Sequence, residues 1–167
     1  GQMLFTLNGI KKLKDTGKMA IIHNGSPLFT GDAESGPSEI RRYIIENDWL
    51  EAIVQLPTDL FYNTGITTYI WIISKNKSSK RAGKIQLIDA SNMYDKRRKS
   101  LGFKRVDLSD TCREAIILAY GEFDNKFYDY GERSVDSKVF LNEDFGYYKI
   151  VVETPEYDEN GLIVKKK

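Results

Sequence analysis

Residues 50–74 read LEAIVQLPTDLFYNTGITTYIWIIS, and this stretch decides the fold. Two nearly continuous apolar runs, Leu50–Leu56 and Thr67–Ser74, flank a polar loop that carries two aromatic residues. Runs of this kind are typical of strands that are covered on both faces of a sheet. Only about ten residues separate the runs, fewer than a parallel crossover needs, so we expect the two strands to be antiparallel.

The segments around this pair alternate between helical and strand patterns. An apolar stripe at helical spacing opens the chain, and Lys18–His23 is predicted as a short buried strand. A second helix is expected to begin near Pro37 and to end near Asn47, and Lys84–Asp89 is predicted as a further strand. This order predicts an α/β sheet of parallel strands with one antiparallel strand. The opening stripe comprises Met3, Leu4, Leu7, Ile10 and Leu13.

The last third of the chain has a different pattern. Ser109–Tyr120 is predicted as a helix, and the Tyr- and Asp-rich region Phe123–Val135 as a poorly packed excursion. Tyr147–Glu153 and Leu162–Val164 are predicted to pair as a hairpin, because an Asn-Gly turn lies between them.

Composition excludes several classes of protein. With 167 residues, 41% hydrophobic and 29% charged, the chain is long enough for one folded core. Its apolar runs fall far short of the roughly 20 residues that span a bilayer, so we expect no membrane contact and a cytoplasmic location. One cysteine, Cys112, and one histidine, His23, do not provide a disulfide or a zinc ligand set. The chain begins without Met in a helical pattern, so we expect it to be an excised fragment.

Residues 56–73, together with the turn Asn24–Phe29, closely resemble the modification subunit of type I restriction enzymes. That family consists of DNA adenine-N6 methyltransferases. The resemblance is dense over Gly1–Ser100 and continues more loosely through Phe145–Ile150. It implies methyl transfer from S-adenosylmethionine to adenine in DNA by the intact protein. It also implies a specificity subunit and a restriction subunit as partners.

The resemblance also implies a division of the chain. Residues 1–108 would be the C-terminal half of a class I, Rossmann-like methyltransferase sheet, and residues 109–167 a small extension with a helix and a hairpin. The family's Gly-rich donor turn and Asn/Asp-Pro-Pro-aromatic turn are both absent, since the four prolines are never adjacent and no Gly-x-Gly occurs. We therefore assign no catalytic, cofactor-binding or metal-binding residue, and expect the fragment alone to be inactive.

The loop between the two apolar runs is the first candidate site. Enzymes that modify a base extrude it from the duplex and hold it by stacking. Phe61 or Tyr62 would supply that ring, with Phe61 preferred, and Asn63 and Thr64 would support the loop. Phe61 plugging the end of the sheet, and Asn63 and Thr64 acting only as turn formers, are the alternatives.

A cluster of basic residues is the second candidate site. It places six cations within ten residues with no acid among them, which favours contact with DNA phosphates. A solvated charge run, or contact with a partner subunit, is the alternative. The cluster comprises Lys96, Arg97, Arg98, Lys99, Lys104 and Arg105.

Two other functions compete with the methyltransferase. One is a non-catalytic α/β module for nucleic-acid binding or assembly. In either case the exposed sheet edge of the fragment would allow self-association. The other is a nucleotide enzyme, because Gly31–Ser38 imitates the glycine spacing of a phosphate-binding loop. Pro37 stands where that loop needs its lysine, which argues against nucleotide binding.

Overall fold

The structure is a computed structural model that describes residues 1–152, 154–157 and 159–162. The α-helices are α1 (Gln2–Lys12), α2 (Ser26–Phe29), α3 (Gly36–Glu46) and α4 (Asp110–Glu122). The strands are β1 (Lys18–Asn24), β2 (Leu50–Gln55), β3 (Thr68–Ser74), β4 (Lys84–Asp89), β5 (Asp95–Leu101), β6 (Lys104–Asp107), β7 (Lys126–Asp129) and β8 (Ser134–Leu141). A 3₁₀ helix, Asn142–Phe145, follows β8.

Six strands form one mixed sheet in the order β1-β3-β2-β4-β8-β7. Strand β3 lies antiparallel between β1 and β2, and β4 runs parallel to β2. The predicted α/β sheet and the antiparallel pairing of β2 with β3 are therefore confirmed. Strands β5 and β6 form a separate two-stranded hairpin.

The sheet is covered on both faces. One hydrophobic cluster joins Met3 and Ile10 of α1 and Ile44 of α3 to Ile53 of β2. The neighbouring Val54 belongs to a second cluster, with residues of α4, because successive strand residues point to opposite faces. Two-sided cover explains why five of the six residues of β2 are buried.

Strand β1 is an edge strand, and the prediction that it is buried was wrong. Its only strand partner is β3 within the described residues, and Lys18 and Ala20 are exposed. Met19 and Ile21 on the other face pack against the cluster formed with α1 and α3. The Ile-rich run therefore belongs to a strand that is buried on one face only. A short apolar run does not distinguish such a strand from one that is buried on both faces.

The region predicted as a poorly packed excursion, Phe123–Val135, was also interpreted wrongly. It contains β7 and the start of β8, and Tyr128 and Val135 are buried in the core. The helix predicted before it is confirmed as α4. The division after residue 108 stays a prediction. The β7–β8 hairpin extends the sheet because β8 pairs with β4, and α4 packs against residues of the same sheet.

The hairpin predicted between Tyr147–Glu153 and Leu162–Val164 falls partly outside the described residues, which omit 153, 163 and 164. Residues 147–152 are described and lie in no strand. Within the described part of the chain, no helix combines the length and the apolar character needed to cross a membrane.

Candidate nucleic-acid interface

The loop after β2 is an ordered continuation of the β2–β3 pair. The Leu56 amide donates to the Thr68 carbonyl at 2.9 Å, and the Asp59 amide donates to the Gly65 carbonyl at 3.4 Å. A single β-bridge between Phe61 and Thr64 closes the tip. Backbone hydrogen bonds thus hold the predicted base-facing residues at the carboxyl end of β2.

The tip of the loop lies at the surface. The Tyr62 side chain is 63% exposed and Asn63 is exposed, while Phe61 and Thr64 are half-buried. Leu60, which directly precedes Phe61, packs against the core cluster under α4 and anchors the loop. The four predicted loop residues are therefore close together and accessible. Their roles toward a base stay predictions.

The basic segment is a hairpin that sits on this loop, rather than an open charged run. The Phe103 amide donates to the Tyr62 carbonyl at 2.8 Å, and the Arg105 amide donates to the Asp59 carbonyl at 2.9 Å. Gly102, with φ +61°, makes the approach possible, since a Cβ there would lie 2.5 Å from the Tyr62 carbonyl oxygen. We call residues 59–66 and 95–107 together the loop–hairpin surface.

Two of the six predicted cations form ion pairs within the hairpin, with one shared carboxylate. Lys104 contacts Asp107 at 2.8 Å, and Arg97 forms a further ion pair with the same carboxylate. Hydrogen bonds from Lys104 and then Arg97 hold the pKa of Asp107 below its ordinary value. Among the described residues, the other four cations form no ion pair. These four are Lys96, Arg98, Lys99 and Arg105.

Sequence reasoning missed three residues that organise this surface: Asp59, Gly102 and Asp107. Asp59 adopts φ +56°, and its carbonyl accepts a hydrogen bond from the Arg105 amide of the hairpin. No side-chain pattern in the sequence predicts this backbone contact. Gly102 could have been found, because a glycine between two basic runs is compatible with a two-residue hairpin turn. The two predicted sites were treated as separate, and the structure brings them together.

Among the described residues, His23 has no carboxylate partner that would activate it as a base. His23 is buried, and a hydrogen bond of 2.7 Å joins its Nε2 atom to the Thr6 hydroxyl. Its ring packs edge to face with Trp71, with the ring centroids 5.7 Å apart. Burial lowers the pKa of His23, which favours its neutral form. These contacts support a structural role. No cluster of potential metal ligands occurs among the described residues.

The sequence model described as N-6 DNA Methylase matches residues 1–156 of the chain. The chain belongs to the N-6 DNA methylase family. It is 40% identical over 106 residues to the type I restriction enzyme MjaVIII methylase subunit of Methanocaldococcus jannaschii, covering 64% of this chain and 18% of that protein. It is also 40% identical over 79 residues to the MjaVII methylase subunit of the same organism, covering 47% of this chain and 13% of that protein.

A solved structure also resembles this member of the N-6 DNA methylase family. The type I restriction-modification system methyltransferase subunit of Streptococcus thermophilus aligns with a TM-score of 0.69 and 27% sequence identity. The alignment covers 84% of this chain and 26% of that one. The chain thus spans between 13% and 26% of the length of these three relatives.

N-6 DNA methylases imply S-adenosylmethionine, and the described residues do not fit it. An apolar cleft of about 410 Å³ lies between α1, α2 and α3, but no carboxylate lines it to bind a ribose or an ammonium group. We assign no donor-binding residue to this chain.

Proposed function

We propose that this chain forms the target-base and DNA-backbone side of a type I restriction-modification methylase subunit, which methylates adenine N6 in DNA. Family membership and the names of the similar proteins support this proposal. In the intact protein S-adenosylmethionine supplies the methyl group. The protein acts in the cytoplasm with DNA, a specificity subunit and a restriction subunit.

The observation that carries the proposal is the contact between the basic hairpin and the aromatic loop. A base-modifying enzyme needs cations for the phosphates close to a surface that holds the extruded base. The 2.8 Å bond from the Phe103 amide to the Tyr62 carbonyl joins the hairpin that carries the cations to the loop that carries Phe61 and Tyr62. A solvated charge run would not need this backbone docking.

Within this proposal the two parts of the surface have different roles. Phe61 stacks on the extruded adenine, while Tyr62 seats the hairpin through its carbonyl and its ring, which lies 3.1 Å from a Cβ position at Gly102. Asn63 and Thr64 support the tip, where the Thr64 hydroxyl accepts from the Ile66 amide at 3.3 Å. Lys96, Arg98, Lys99 and Arg105 contact phosphates, and Arg97 and Lys104 mainly shape the hairpin.

The charge role is tested in the full-length subunit assembled with its specificity subunit. Replacing Arg98 and Lys99 by Gln should weaken binding to all DNA sequences and reduce the slope of log K against log salt by roughly 2. Replacing Lys11 and Lys12 by Gln removes the same charge from the end of α1. That control should leave the slope unchanged, and equal slopes for both double variants would refute the DNA role of the hairpin.

The base-facing role is tested with Phe61→Ala in the same complex. Stacking contributes ~1–3 kcal/mol per base, so binding to DNA with an extruded target should weaken roughly 5- to 150-fold. Affinity for S-adenosylmethionine, measured by calorimetry, should stay within about twofold, because no donor contact is assigned here. Equal loss of both affinities would indicate damage to the fold and count against the stacking role.

The competing function is a non-catalytic module. A full-length subunit that binds DNA but transfers no labelled methyl group to adenine would favour that module. Self-association through the open edge of β1 is a separate proposal, supported by the exposure of Ile22 and Lys18. Analytical ultracentrifugation of the chain over a range of concentrations tests it, and a monomer throughout would refute it.

A further inference from the structure

The tip of the basic hairpin exposes two large apolar side chains. Leu101 is 53% exposed and Phe103 is 59% exposed, on either side of Gly102. Isolated exposed apolar residues are common on protein surfaces and need no explanation. These two residues lie between cations on both strands, with Arg98 and Lys99 before the turn and Lys104 and Arg105 after it. An apolar tip surrounded by cations does require an explanation.

The position of this tip is set by the aromatic loop. Leu101 pairs with Lys104, so Gly102 and Phe103 form a two-residue turn with the glycine first. The Phe103 amide is bonded to the Tyr62 carbonyl at 2.8 Å, and Gly102 packs against the Tyr62 ring. An ion pair joins Asp95, at the base of the hairpin, to Arg133, the residue before β8. The exposed rings of Tyr62 and Phe103 are therefore held on one rigid surface.

We infer that the Leu101–Phe103 tip is a wedge that enters the base stack of duplex DNA beside the target adenine, with the Phe103 ring occupying the space that the extruded base leaves. This inference rests on the proposed function and names a further DNA-contacting residue for it. Apolar wedges of Phe or Leu unstack base steps in other DNA-binding proteins, and extruding a base requires that its vacated position be stabilised.

Charge selects DNA over a protein partner as the occupant. Within the described residues, three cations around the tip, Arg98, Lys99 and Arg105, have no acidic partner, and a phosphate backbone would neutralise them. On a duplex, Arg98, Lys99 and Arg105 would lie over the phosphates while the apolar tip projects between the bases. An apolar protein surface would leave these charges uncompensated.

The test uses the full-length subunit with its specificity subunit and DNA in which 2-aminopurine replaces the target adenine. The fluorescence of 2-aminopurine rises when the base leaves the stack. Phe103→Ser should reduce the extruded fraction tenfold or more, while Phe103→Leu, which keeps an apolar wedge, should retain most of it. Ile117→Ser, which alters a 66% exposed apolar residue on α4, is the matched control and should behave as the unaltered protein.

A second DNA separates a wedge from a general contact. When an abasic site lies opposite the target, the stack is already opened, so Phe103→Ser should recover extrusion to within about threefold of the unaltered complex. Recovery would also demonstrate that the variant is folded. Loss that persists on this DNA would overturn the wedge and assign the tip to a protein contact or to the fold.

Failure of the wedge is distinguishable from failure of the proposed function. If the unaltered complex methylates and extrudes the base and Phe103→Ser does so equally well, the wedge alone is refuted. If the unaltered complex neither transfers a methyl group nor extrudes the base on either DNA, the proposed function is refuted and the wedge with it.

Discussion

Gly102 is the position at which a single added methyl group should separate the basic hairpin from the aromatic loop. Its φ of +61° disfavours any side chain, at about 1–2 kcal/mol for alanine. A Cβ would also lie 2.5 Å from the Tyr62 carbonyl oxygen, a backbone atom that cannot rotate away. Relief requires the hairpin to shift, which breaks the bond from Phe103 to that oxygen and costs about 0.5–1.5 kcal/mol more.

The matched control is Gly131→Ala. Gly131 has φ +79°, but a Cβ there meets nothing within 4 Å, so this variant carries only the conformational cost. Urea denaturation should show a loss in the free energy of unfolding of about 2–3 kcal/mol for Gly102→Ala and about 1–2 kcal/mol for Gly131→Ala.

Hydrogen exchange measures the local consequence of the same change. Protection of the Phe103 amide should fall by roughly tenfold in Gly102→Ala, since a loss near 1.4 kcal/mol corresponds to that factor. Gly131→Ala should leave this amide unchanged. Equal losses in the free energy of unfolding for the two variants, with full protection at Phe103, would refute the docking argument.

Three further variants probe the scaffold. Burial lowers the pKa of His23 from its ordinary 6.5, so the unfolded chain binds more protons, and the free energy of unfolding should decrease as the pH falls through and below 6.5. His23→Gln should flatten that dependence in urea titrations at several pH values, because the chain has one histidine. Glu51→Ala should lower the free energy of unfolding by about 3–5 kcal/mol, because the 1% exposed Glu51 carboxylate contacts the buried Arg81 at 3.2 Å; a loss below 1 kcal/mol would contradict this. Gly121 lies on α4 with nothing within 4 Å of its Cβ position, so Gly121→Ala should raise the free energy of unfolding by about 0.5 kcal/mol in urea denaturation. A decrease would contradict the open space seen there.

The central part of the sheet was predictable because its pattern is local. The apolar runs of β2 and β3 and the short connection between them were enough to predict two antiparallel, doubly covered strands. The helical stripe of α1 and the proline at the start of α3 were equally informative. In each case a few neighbouring residues determine both the element and its buried face.

The strands that were missed have weak local patterns. β5 reads DKRRKSL, rich in residues that strands disfavour. It forms because it pairs with β6, whose Arg105 amide donates to the Asp59 carbonyl of the loop. β8 reads SVDSKVFL and joins the sheet through its pairing with β4, about fifty residues earlier in the chain. Tertiary pairing overrode local preference in both strands.

The amino-acid sequence by itself determined the α/β framework, the aromatic loop at the end of β2 and a strong local concentration of positive charge. Only the tertiary structure decided that the loop and the charge form one surface. The contacts that join them are the backbone carbonyls of Asp59 and Tyr62, which accept from the amides of Arg105 and Phe103. Every residue carries a carbonyl, so a side-chain pattern does not encode which ones will meet a distant hairpin.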